Sequence, residues 1–298
     1  MPQSPDSITD MAKKKSPPPK TSHKSFRVSK KAKTSKKPAS QKIIFKNLGM
    51  WNIALAVLLA VQAAVVIVLS KSASLPITNH YLATDALASQ AAGHNVLAPA
   101  VHHLFDLNIK YVTAAVLLVS AAAYGAAATI HRKMYEAGLK QRINQIRWID
   151  FSISASFMMA IIALINGISD ELTLVLITAL VVLLHGLAYL MELQNKESGK
   201  VNWLHFWGIL IAGAAVWLTI VSQVKGTIIY GMTNMPTFVY WIDGSIFLIL
   251  LGMAANIFLT FRGKGRWANY LFAERVYMFL GFAVQTVLAW QIFFGMLR

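Results

Sequence analysis

"LGMWNIALAVLLAVQAAVVIVLS", residues 48–70, decides what kind of fold this chain adopts. Only Asn52 and Gln62 interrupt its apolar side chains before Ser70, and those side chains fall on every face of a helix. A helix of a soluble domain would confine them to a stripe of period 3.6, and a half-buried strand would alternate. A run of about 20 residues that is apolar all round instead suits the roughly 30 Å of hydrocarbon that a membrane helix must cross. Working outward, six more runs of this kind follow, at about 108–130, 144–166, 171–191, 203–224, 237–261 and 274–297. All seven are expected to be helical, because lipid offers no partners for unpaired backbone groups, and barrel strands would be half as long with alternating polarity. The composition agrees. Of 298 residues 56% are hydrophobic and 13% charged, a balance that excludes an ordinary soluble domain.

Charge is unevenly spread. Residues 1–46 hold 12 Lys and one Arg against Asp6 and Asp10, which is +11 of the formal +16. This segment mixes Lys13, Lys14, Lys15, Lys30, Lys31, Lys36 and Lys37 with Pro and Ser, and has too few apolar residues to bury a core, so it is expected to be a disordered tail. It does not read as a cleaved signal peptide: the basic stretch is too long, and no small-residue cleavage site follows the first apolar run. Tethered at a bilayer, its lysines would suit anionic lipid headgroups, although a solvated topology signal that binds nothing is as good a reading. Nucleic acid is not expected, since over residues 13–42 only Phe26 interleaves with the lysines as a stacking platform. With no cysteine in the chain, thiol chemistry is excluded.

Lys and Arg in the short connections set the orientation. The tail, the 131–147 connection ("HRKMYEAGLKQRINQIR"), the loop around Lys196 and Lys200, and "FRGKGRWANYLFAER" (261–275) are basic. The alternate connections carry at most an isolated lysine, Lys71 or Lys225. The positive-inside rule then puts the N-terminus in the cytoplasm and, after seven crossings, the C-terminus outside. The first external connection, 71–107, is long enough to be structured or functional, and is expected to fold back over the external mouth of the bundle. Within it His102, His103 and Asp106 would share a face if helical, but ordinary surface residues are the better reading and no metal is expected.

Polar groups inside the spans point to a site, because they are costly there. Asp150 lies roughly 10 Å into the third span at 1.5 Å per residue, with Arg147 and Ser154 one turn to either side. It is either functional or neutralised locally by Arg147. Asp243 lies close to Pro236 and reads as reaching interfacial water. Gln285, in "GFAVQTVLAW" (281–290), reads by spacing alone as a hydrogen-bonding link between helices. Trp148, Trp217, Trp241 and Trp290 read as packing or interfacial anchors.

Four stretches then carry a family resemblance: "MPTFVYWIDGSIFLILLGMAANIFLTF" (235–261), "RWANYLFAERVYMFLGFAVQTVLAWQIFFGML" (266–297), "RWIDFSISASFMM" (147–159) and "MELQN" (191–195). Over about 47–298 the chain resembles the heliorhodopsins, seven-helix relatives of the microbial rhodopsins. The resemblance implies a seven-helix rhodopsin-like bundle with a cytoplasmic N-terminus and external C-terminus, a structured first external loop, and a homodimer. It also implies a retinal bound as a protonated Schiff base to a seventh-helix lysine, within a stretch reading approximately A-K-S-x-L-A-W-Q. This chain reads "AVQTVLAWQ" there, which puts Gln285 in the lysine's place, and residues 267–298 contain no lysine at all. The family's counterion, a glutamate in R-x-x-E, corresponds to Asp150 in "RWID". The histidine of its first-helix H-x-x-Q becomes Leu59 with the glutamine kept as Gln62, and a second-helix histidine becomes Tyr124. The lysine and both histidines are thus replaced together while the scaffold motifs remain.

A carboxamide cannot form an imine. No covalent cofactor is therefore expected, and retinal only as a non-covalently held ligand. Asp150, without a Schiff-base partner, is expected to hold a proton or to pair with Arg147. The inherited pocket would be lined from Asp150, Ser154, Trp217, Phe247 and Gln285, with Arg147, Tyr124 and Gln62 as further candidates. Three functions are open: a non-pumping sensor, scaffold or binding protein; a receptor for non-covalent retinal or another isoprenoid; and, last, a transporter or channel, for which the spans offer little polar path. The absence of any nucleophile triad, phosphate-binding loop or zinc-protease motif argues against an enzyme.

Overall fold

The computed structural model describes residues 38–196, 200–231 and 234–298. The seven tail lysines named above lie outside the described residues. Seven helices are long and apolar enough to cross a membrane: α1 (Pro38–Leu69), α3 (Ile109–Ala128), α5 (Gln145–Ile165), α6 (Glu171–Asn195), α7 (Leu204–Tyr230), α8 (Thr237–Arg262) and α9 (Tyr270–Ile292), the last extended by a π turn over Phe293–Leu297. A short helix, α4 (Arg132–Lys140), lies between α3 and α5. Sequence capping signals set several starts. Asn108, Asn144, Asp170 and Asn269 each accept a backbone N–H in the first turn of α3, α5, α6 and α9. Pro236 precedes α8, and Gly263, at φ 63° in the left-handed region, closes it.

Four helices run further than their apolar runs suggest, and the first of them corrects the tail: α1 begins at Pro38, so residues 38–46 of the segment expected to be disordered are helical. α7 continues to Tyr230 rather than 224, and α6 continues through Glu192 to Asn195 rather than stopping at 191. α9 begins at Tyr270, four residues before 274. The backbone ladder does not stop where hydrocarbon stops, and these extra turns bring polar side chains into the bundle's end.

In chain order the spans pack α1 on α3, α3 on α5, α5 on α6 and α6 on α7, while α8 packs on α9 and α9 closes the ring against α1 and α3. α7 meets α8 far more sparsely than any other consecutive pair of spans. The core runs between α1, α3, α5 and α9, where Leu59, Leu117, Ile161, Ile162, Leu288 and Ile292 are buried.

Segment 71–107 is structured, as its length predicts, but as a β-hairpin. Strands β1 (Ser74–Thr84) and β2 (Leu97–Asn108) pair antiparallel and are joined through the short helix α2 (Ala86–Ala92). The hairpin is tied to the start of α6 from the middle of β1. The Thr78 N–H donates to the Ser169 carbonyl at 2.9 Å, and Asn79 Nδ2 donates to Glu171 Oε1 at 2.6 Å. Its distal part exposes Leu82, Leu87, Leu97 and Val101 instead of lying against the mouth of the bundle along its length.

The helical face imagined for His102, His103 and Asp106 does not exist, because all three lie on β2. The register slips between Ile77 and Thr78, which oppose Phe105 and His103, so Leu104 is a bulge residue. The bulge brings His103 and Asp106 to one side, where Nε2 and Oδ1 lie 2.9 Å apart on the open surface. His102 takes no part, and no cluster of three or more metal-ligating side chains occurs among the described residues.

Asp170 marks the root of α6. Partial burial opposes its ionisation, but the Thr173 hydroxyl and amide, at 2.7 and 2.9 Å, outweigh this and hold its carboxyl below the ordinary carboxylate range. The cap is complete at neutral pH and is lost as pH falls through that lowered value. Asp170→Ala is expected to cost about 0.5–2 kcal/mol, seen as a lower melting temperature at pH 7 whose difference from wild type narrows in acid.

Candidate functional site

Three helices converge on Gln285. α9 carries it, α3 carries Ser120, and α5 carries Asp150 and Ser154 on one face at i and i+4. All four are buried. The Ser154 hydroxyl donates to the Asp150 backbone carbonyl at 2.8 Å, and the Ser120 hydroxyl donates to Asp150 Oδ1 at 2.5 Å. Gln285 Nε2 donates to Ser120 Oγ at 2.5 Å and lies 3.4 Å from Ser154 Oγ. The amide thus links α9 to α3 and α5, while its Oε1 has no hydrogen-bond partner among the described residues.

Beside this cluster lies a cavity of about 410 Å³, within the range of small-molecule sites. Its walls are almost wholly apolar, with Phe151, Met158, Ile209 and Tyr277 prominent, and Ser154, His185 and Gln285 supply polar atoms. Of the residues singled out from sequence, Trp148, Ser154, Trp217, Phe247 and Gln285 line it, with Trp217 and Phe247 packed edge to face at 5.1 Å. Asp150 does not. It lies behind the two serines and borders a much smaller cleft of about 20 Å³ together with Tyr124 and Arg147. Tyr124 donates to the Met278 carbonyl at 3.3 Å. Gln62 is elsewhere again, in the seam between α1 and α9, where it donates to Thr286 Oγ1 at 3.2 Å and accepts from Trp290 Nε1 at 3.0 Å.

Arg147 does not pair with Asp150. A helical side chain leans toward its helix's N-terminus, so Arg147, one turn before Asp150, reaches away from it toward the start of α5. There its two terminal nitrogens bridge Glu192 of α6 and Glu274 of α9. Glu192 also accepts from the Asn144 amide at 3.0 Å, Trp148 Nε1 at 2.7 Å and the Tyr270 hydroxyl at 2.9 Å. Glu274 accepts from Asn144 Nδ2 at 2.7 Å and the Tyr135 hydroxyl at 3.2 Å. The guanidinium plane lies 3.9 Å from the Tyr277 ring centre and 4.6 Å from that of Trp148. Trp148 is therefore a donor in this network as well as a packing residue.

Sequence reading missed Glu192 and Glu274, because the apolar runs stop beside them and both look like ordinary helix ends. The available signal was their place inside "MELQN" and "WANYLFAER". At the opposite end of the bundle, half-buried Asp243 accepts from Asn166 Nδ2 at 3.0 Å. Trp241 points outward, 68% exposed, as an interfacial anchor would.

A retinal held through a Schiff base requires a primary amine in the cavity wall. No lysine lines the cavity, and the nitrogen nearest the serine cluster is the Gln285 amide, already committed to Ser120. The residues present do not fit that covalent group. No curated protein matches the chain. The Heliorhodopsin family model matches residues 48–297, which takes in all seven spans, the hairpin and every residue of the site, and this multi-pass membrane protein belongs to that family.

Proposed function

We propose that the protein binds a lipid-soluble, isoprenoid-like ligand non-covalently, and that it neither attaches retinal nor pumps ions. One observation carries this reading: an apolar cavity of about 410 Å³ whose polar edge presents Gln285 where covalent capture would need an amine. Between the sparsely packed α7 and α8 the cavity reaches Ala214, Phe247 and Leu251, all exposed on the outer surface of the bundle, so a ligand dissolved in the bilayer has a lateral way in. The absence of pumping is supported by Leu117, Ile161, Ile162, Ile242, Leu288 and Ile292, which fill the half of the bundle nearer the hairpin with buried apolar side chains. The apolar residues exposed on the hairpin support assembly as a homodimer, and the basic segment 1–46 supports contact with anionic headgroups on the cytoplasmic side.

The test is reconstitution of the purified protein with all-trans-retinal. Saturable quenching of tryptophan fluorescence is expected, because Trp148 and Trp217 line the cavity. Absorbance should stay near that of free retinal, and borohydride should trap nothing on the polypeptide. A red-shifted band that hydroxylamine bleaches would overturn the reading.

A further inference from the structure

We propose that the cavity selects a lipid-soluble alcohol over the matching aldehyde, with the side-chain carbonyl of Gln285 accepting a hydrogen bond from the ligand's hydroxyl. This rests on the non-covalent binding reading above and specifies its ligand.

The argument is a count of protons. Each serine hydroxyl has one to give. That of Ser154 goes to the Asp150 backbone carbonyl at 2.8 Å, and that of Ser120 to the Asp150 carboxyl at 2.5 Å. Toward Gln285 both oxygens can then only accept, which turns the amide nitrogen to face them at 2.5 and 3.4 Å. The amide oxygen is left over. It has no partner among the described residues and almost no open surface of its own, while its residue, 3% exposed, lines the cavity, so a ligand hydroxyl must shift the side chain slightly to reach it. A buried carbonyl without a donor is unfavourable, and a ligand that brings a donor relieves it.

His185 repeats the pattern on the α6 wall. Its Nδ1 lies 2.7 Å from the Val181 carbonyl, so Nδ1 carries the proton and Nε2 is an acceptor. Among the described residues that line the cavity, these two acceptors on different walls both call for a donor. An aldehyde or a carboxylate brings only lone pairs to them, whereas an alcohol brings the missing proton.

The experiment titrates the wild-type protein, in lipid nanodiscs, with all-trans-retinol, all-trans-retinal and retinyl methyl ether, read by tryptophan quenching. The ether keeps the polyene and replaces the donor hydrogen with a methyl group. Retinol is expected to bind roughly tenfold more tightly than either of the others. Gln285→Leu should erase that preference while all three still bind. Equal binding of all three by the wild type would overturn this inference and leave the binding reading standing. Binding of none would overturn both. A retinol preference that survives Gln285→Leu would remove the role given to Gln285. Should that variant not fold, the ligand series on the wild type decides alone.

Discussion

Gln285→Lys, produced with all-trans-retinal, is expected to turn a colourless protein into a coloured one. The substitution places a primary amine at the polar edge of a cavity that already has apolar walls and a suitable volume. Neutral amines condense with aldehydes and carboxamides do not, so the change is one of kind rather than degree. The new cation would also find a carboxylate close by, since Asp150 is one hydroxyl away through Ser120. A red-shifted visible band, bleached by hydroxylamine and fixed on the polypeptide by borohydride, is the expected signature. Adding Asp150→Asn to this variant should shift or abolish the band, because the cation then loses its only charge partner in the cluster. A folded Gln285→Lys protein that stays colourless would mean that the cavity cannot accept retinal in the family's orientation. The shared origin of the pocket would then be of no help in identifying its ligand.

What the sequence disclosed depended on how strongly each feature was tied to a solvent. The apolar run of α1 must face hydrocarbon on every side, so residues 48–70 announce a span unaided. The hairpin announced nothing. β2 is exposed on both faces for most of its length, and its pairing with β1 uses backbone groups, which leave no period in the side chains. For Arg147 and Asp150, proximity along one helix left a local pair open beside a protonated Asp150, and the direction in which side chains lean removes the pair. Gln62 shows the same limit. Family motifs named it as a candidate, but its side chain bonds Thr286 and Trp290 across the α1–α9 seam, away from the cavity. Gln285 was found because its type conflicts with a lipid environment, while its orphan oxygen depends on Ser120, 165 positions away along the chain.

The buried ionic cluster yields the largest expected change in stability. Arg147 pairs with both Glu192 and Glu274, and all three side chains are almost fully removed from solvent. Arg147→Met would leave two carboxylates buried at one end of the bundle with hydroxyl, indole and amide donors but no countercharge. Breaking such a cluster from one side typically costs about 3–5 kcal/mol, since the desolvated charge left behind is worse than no charge at all. Arg147→Lys should fall between, because an ammonium cannot fork to two carboxylates and lacks the flat face that stacks on Tyr277 and Trp148. Adding Glu192→Gln and Glu274→Gln to Arg147→Met should recover much of the loss, as it removes the stranded charges along with their partner. Asp150→Asn is the control: its side chain is bonded by Ser120 and not by Arg147, so its melting temperature should stay much closer to wild type. Thermal unfolding of the five proteins in one detergent separates these cases. If Asp150→Asn melted as low as Arg147→Met, the arginine would have to be neutralising Asp150 after all. If Arg147→Met melted with the wild type, the bridge from α5 to α6 and α9 would be an ornament of the fold rather than one of its fastenings.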